Sequence, residues 1–157
     1  MRSVWKLEIE EANVMIAAGI QAALEAKAAE TICIVDEGGY LLALERMNGA
    51  RNTSPELAMA KAFTASGHRR STHLFNQPGG PATIHGEAFG IHAMMPGKFA
   101  IFVGGFPIVV NGQVIGGVGV SGGAGEDDIA VGVAALKALQ LHLGDEYEVL
   151  TDADIKR

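Results

Sequence analysis

The stretch from Pro96 to Gly123 constrains the fold of this chain more than any other. Two apolar runs are joined there by Asn111-Gly112. Asn-Gly between apolar runs predicts a hairpin, because both residues accept the positive φ of a type I′ turn. The returning run alternates, with Val114, Gly116, Val118 and Val120 on one face and Ile115, Gly117 and Gly119 on the other. One face is branched and apolar, the other nearly bare backbone. A bare strand face marks close approach by another group. Helix packing is the favoured reading of it, and a flat ligand is the alternative.

The returning strand leads into Ser121-Gly122-Gly123-Ala124-Gly125 and then Glu126-Asp127-Asp128. A glycine-rich turn feeding a helix can cradle a phosphate. The spacing here matches neither GxGxxG nor a P-loop, and no lysine follows. Three carboxylates in the first helical turn suit the helix dipole but repel an anion. The loop therefore suits a cation, a hydroxyl-rich ligand or a neighbouring subunit better than a nucleotide.

The remaining elements follow from periodicity and turn chemistry. Leu7 to Ala29 repeats Ile, Ala and Leu at helical spacing, with Glu8, Glu10 and Glu11 near its start. Thr31 to Asp36 and Tyr40 to Arg46 form a first hairpin about Glu37-Gly38-Gly39. Ser54-Pro55-Glu56 announces a second helix that ends near Gly67. Ser71 to Gly97 is irregular, with His85 to Met95 read as a short helix or a lone strand. Glu126 to Leu143 is a last helix, and the charged tail from Gly144 to Arg157 is expected to fray or to dock on another copy. Counting the lone strand, the expectation is an α+β fold with a five-stranded antiparallel sheet covered by helices.

A chain of 157 residues fits one domain, residues 1–157, and its formal charge of −6 argues against nucleic-acid or anionic-membrane partners. A single cysteine, Cys33, rules out an internal disulfide and reads as a buried structural thiol. The first eleven residues lack the apolar core of a signal peptide, and the run from Phe99 to Val110 is too short and too broken to span a bilayer. A cytoplasmic protein is the expectation.

Four of the five histidines, His68, His73, His85 and His92, fall in one segment, but none pairs as HxxxH or HExxH and no cysteine joins them. No metal site is expected. Gly119-Val120-Ser121-Gly122-Gly123 spells the GxSxG nucleophile elbow between a strand and a helix. An antiparallel sheet, and a C-terminal region whose one histidine, His142, lies inside a helix, argue against a hydrolase. Lys61, between Ala60 and Ala62, reads as half-buried or snorkelling.

Several motifs together carry a resemblance. They are Val35-Asp36-Glu37-Gly38-Gly39, Ala43 to Met47, Ala60-Lys61-Ala62-Phe63-Thr64-Ala65, Gln77 to Pro81, Gly105-Phe106-Pro107-Ile108 and Val114 to Gly123. Over residues 7 to 143 the chain resembles the GlcG/HbpS family, which includes the C-terminal domain of PduO-type corrinoid adenosyltransferases. The resemblance implies a profilin-like three-layer fold with five strands, and assembly into homo-oligomers. It implies heme or a corrinoid as the cofactor class, the ligand itself being unknown. It also implies service to B12-dependent diol or glycerol dehydratases or to glycolate oxidation. Lys61 matches the family lysine, and Glu126 and Asp128 match the acidic residues that follow the SGG loop. Where family members bind heme, a histidine near the N-terminal helix is implicated as iron ligand. This chain has no histidine before His68.

The expected ligand-contacting residues are thus Lys61, Gly117, Gly119, Ser121, Gly122, Gly123, Glu126 and Asp128, with no catalytic residue assigned. Three readings stay open: an oligomeric cofactor- or small-molecule-binding accessory protein, a small-molecule enzyme with a pocket near Lys61 and the Ser121–Gly123 loop, and a structural assembly protein.

Overall fold

The computed structural model describes Met1 and residues 3–157. In chain order, α1 spans Ile9–Glu25, β1 Thr31–Asp36, β2 Leu41–Arg46, α2 Ser54–His68, β3 Gly105–Val110, β4 Gln113–Ser121 and α3 Gly125–Leu143. Short 3₁₀ turns occupy Thr72–Phe75 and Ile91–Met94.

Among the described residues the sheet has four strands, not the expected five. They run in the order β2-β1-β4-β3, and every neighbouring pair is antiparallel. The segment His85–Met95 supplies no strand. Gly86 packs where a side chain would overlap the Pro81 carbonyl, Gly90 takes a positive φ of 81°, and the chain bends into the 3₁₀ turn Ile91–Met94. Backbone so punctuated by glycine cannot hold the extended run that pairing needs.

Helices cover both faces of the sheet. α1 and α3 pack together on one face, over a core that includes Met15, Ile16, Ile32, Phe106, Val118, Val120, Leu136 and Leu139. α2 covers the other face, over Cys33, Val35, Ala58 and Ala62. The bare face of β4 explains why α2 lies so close. A side chain at Gly117 would overlap the Ala62 carbonyl, and one at Gly119 would overlap the Ala58 carbonyl. The glycines therefore let a helix backbone settle directly on a strand backbone, which leaves that face no room for a flat ligand.

The predicted turn at Asn111-Gly112 is present, with positive φ at both residues, 46° and 76°. The alternation of β4 fails at one place. Register between β3 and β4 slips at Ile108/Val109, so Ile115 becomes an extra residue and joins the core beside Val118 and Val120.

The C-terminal tail neither frays nor leaves its own molecule. Val149 bridges Val110, the Leu150 amide donates to the Val109 carbonyl at 3.1 Å, and the Asn111 amide donates to Glu148 at 2.8 Å. Further on, buried Ile155 exchanges backbone and side-chain bonds with Ser71. β3 is an edge strand with free backbone groups, and the tail covers them.

Candidate functional site

Two features deserve description: a buried charged cluster beneath the Ser121–Gly123 loop, and an apolar cleft beside α2.

The cluster begins with Lys61. Its position in the middle of α2 points it along the sheet toward the end of β4, where it is 2% exposed. Its Nζ donates to the Val120 carbonyl and to Asp128 Oδ2, both at 2.7 Å. The Phe102 ring lies 5.0 Å from Nζ, a cation–π contact that roofs the ammonium. Asp128 sits in the first turn of α3 and is 4% exposed.

The third member is Glu30, fully buried immediately before β1. Its Oε2 accepts the Gly123 amide at 2.9 Å, which ties the glycine loop to the start of the first strand. Gly122 carries a φ of 148°, and a side chain there would press on the Ala29 carbonyl and Glu30 Oε2. Burial is the main influence on all three groups. It pushes Lys61 down from the ordinary lysine value despite the pull of Asp128. It raises Asp128 against the attraction of Lys61. It raises Glu30 to about 7, with help from the charge on Asp128.

The expected site residues therefore divide. Lys61, Asp128 and the backbone of Ser121, Gly122 and Gly123 come together. Gly117 and Gly119 lie under α2. Glu126, although next but one to Asp128, points to solvent, while Asp127 caps the Ala124 amide at 3.1 Å. Ser121 ends a central antiparallel strand facing Thr31, and among the described residues it makes no side-chain bond to a histidine. The sequence reading missed Glu30. Its signal was a glutamate directly abutting the apolar strand Thr31–Asp36, but its partners are some ninety residues away (|i−j| of 93 to Gly123).

The histidines of the 68–92 segment disperse. His68 stacks edge-on against Phe75 and Phe99, at 5.4 and 4.9 Å between ring centroids. Partial burial, and then the charge of Arg70, hold its pKa below the ordinary histidine value. His73 meets Asp154 at 2.5 Å. His85 and His92 are exposed.

The cleft lies between the β1–β2 turn and α2 and holds about 280 Å³. Val35, Tyr40, Leu41, Met59 and Phe63 give it apolar walls, and Lys98 and Glu56 add one charge of each sign to its lining. No histidine lines it. The volume is at the small end of ligand clefts, which suits the edge of a flat molecule better than its full enclosure.

Three helices and a four-stranded antiparallel sheet, with this cluster and this cleft, define an α+β domain layered as helices, sheet, helix. The chain belongs to the HbpS-like family, described as haem degrading protein HbpS-like, whose model matches residues 7–137. A 15.0 kDa protein from the dhaT-dhaS intergenic region of Citrobacter freundii is 38% identical over 119 residues, covering 73% of this chain and 82% of that one. Protein GlcG of Escherichia coli K12 is 35% identical over 115 residues, 73% of this chain and 81% of GlcG. The corrinoid adenosyltransferase PduO of Citrobacter freundii is 32% identical over 135 residues, 86% of this chain but only 39% of PduO. Among solved structures, the PduOC:heme complex superposes with a TM-score of 0.80 at 28% identity, covering 85% of this chain and 95% of that one. Among the described residues no helix is long and apolar enough to cross a membrane.

Proposed function

We propose that this chain is an oligomeric accessory protein that holds a flat, largely apolar small molecule of the tetrapyrrole class, heme or a corrinoid, in the cleft beside α2. The observation that carries this reading is the cleft itself. Its apolar walls match a macrocycle edge, and the Lys98 ammonium in its lining complements an acidic substituent. Of the residues lining it, Tyr40 and Met59 have side chains of types that ligate heme iron. The residues present fit such a group through apolar contact, which needs no bond to iron. The bound heme of the similar PduOC structure and the corrinoid chemistry in the name of PduO support the ligand class, and the service role beside cobalamin-dependent or glycolate metabolism is the one the GlcG/HbpS resemblance implies.

The enzyme reading is weaker because its pocket is closed. Lys61 is roofed by Phe102, and the cleft is not lined by Lys61, Asp128 or Glu30.

Burial and not iron supplies most of the affinity in this reading, since no histidine reaches the cleft. Hemin and metal-free protoporphyrin titrated in parallel should bind alike. Tyr40→Phe and Met59→Leu should leave binding nearly unchanged, whereas Met59→Glu should weaken it at least tenfold by placing a charge in the wall. Hemin binding abolished by His68→Ala or His73→Ala, or left intact by Met59→Glu, would overturn the proposal.

A further inference from the structure

The carboxyl groups of Glu30 and Asp128 each have one oxygen engaged and one idle. Glu30 Oε2 accepts the Gly123 amide and Asp128 Oδ2 accepts Lys61. Glu30 Oε1 and Asp128 Oδ1 are both buried with no partner among the described residues. Buried acceptors left without donors are costly, and two carboxylates against one ammonium leave an excess negative charge out of water. The two side chains are neighbours beneath the Gly123 loop, each carboxyl acting on the other beside the one ammonium of Lys61. The cleft beside α2 does not touch them. The filler these facts call for is small, a donor to both oxygens and a neutraliser of one charge.

We propose that Glu30 and Asp128 hold a single proton between Oε1 and Oδ1, and that this proton latches the Ser121–Gly123 loop to the start of β1. The bond is of the carboxylic acid–carboxylate type. Glu30 donates, Asp128 accepts, and Lys61 balances the remaining charge. The latch reaches the loop because the second Glu30 oxygen already holds the Gly123 amide. Loss of the proton sets two carboxylates against each other and loosens both ties at once.

The charged groups facing Glu30 are Lys61 from α2 and Asp127 and Asp128 from α3. Burial first, then Asp128 and Asp127, raise the Glu30 carboxyl to about 7, while the Gly123 amide and Lys61 oppose the shift. Its ordinary value is 4.5. The folded chain therefore keeps a proton that the unfolded chain releases. The stability this contributes is complete below the unfolded value and is lost as pH rises through the folded one. For one proton, the folded-to-unfolded ratio falls by up to about tenfold per pH unit across that window.

The test is a ¹³C NMR titration of the glutamate and aspartate carboxyl carbons in the full chain, joined to urea unfolding at about pH 5 and about pH 8. One glutamate should titrate near neutrality, with an aspartate responding in step, and both responses should vanish in Glu30→Gln. The glutamine amide donates to Asp128 at every pH. The wild type should therefore lose at least tenfold more of its folding equilibrium constant between the two pH values than Glu30→Gln does. Parallel losses in the two proteins, or glutamates that all titrate in the ordinary acidic range, would overturn the proposal. If Glu30→Gln does not fold, the wild-type titration decides alone. Neither readout depends on what the cleft binds.

Discussion

Lys61 is the residue on which all three layers of the molecule meet. Its ammonium joins α2 to the end of β4 and to the first turn of α3 through bonds of 2.7 Å. A buried pair of this kind contributes little against an apolar replacement, but removing one partner strands the other charge. Lys61→Met should cost about 3–5 kcal/mol in urea unfolding, because Asp128 and Glu30 then face each other without a cation. Lys61→Met combined with Asp128→Leu should cost clearly less than the sum of the two single changes. Additive losses would show that the pair is not coupled. Cys33 gives a second residue-scale expectation. Burial pushes its thiol up to about 12, so a thiol reagent should label the unfolded chain and leave the folded one unmodified.

At the scale of elements, the glycine face of β4 governs how closely α2 approaches the sheet. Gly117→Val must displace the backbone at Ala62, whereas Val118→Ala only empties part of the opposite core. Overpacking against a backbone costs ~1–3 kcal/mol and occasionally more. We expect Gly117→Val to lower the thermal midpoint much more than Val118→Ala, and equal small losses would contradict the packing described. This contact was legible in the letters, since alternating glycines on a strand name a close neighbour. So were both hairpins, announced by their turn residues, and the three helices, read from periodicity or from the residues at their starts. What the sequence concealed depends on long-range placement. Glu30 looks like one more surface glutamate until the Gly123 amide is brought to it. His85–Met95 carries enough apolar residues to suggest a strand, and only its glycines and its packing on Pro81 decide otherwise. The tail looks solvated because only two of its side chains, Val149 and Ile155, are buried, and because the sequence does not identify β3 as the edge strand it covers.

At the scale of the whole molecule, the excursion between α2 and β3 carries exposed apolar side chains. Ile84 is 71% exposed, Phe89 64% and Met94 81%. An apolar group of this kind on one segment fits a contact between copies, in line with the proposed homo-oligomer. Light scattering at micromolar concentration should give a mass that is a multiple of 16.4 kDa, and Phe89→Asp with Met94→Lys should lower it. A monomeric mass for the unaltered chain would contradict the proposal.

In the reading proposed above, the cleft beside α2, and not the closed Lys61 cluster, receives the ligand. The most direct test is amide chemical-shift mapping of the labelled protein with metal-free protoporphyrin. Saturating shifts should centre on Val35, Tyr40, Met59, Phe63 and Lys98, with residues 121–128 undisturbed. Shifts centred on Ser121–Asp128, or none that saturate anywhere, would contradict it.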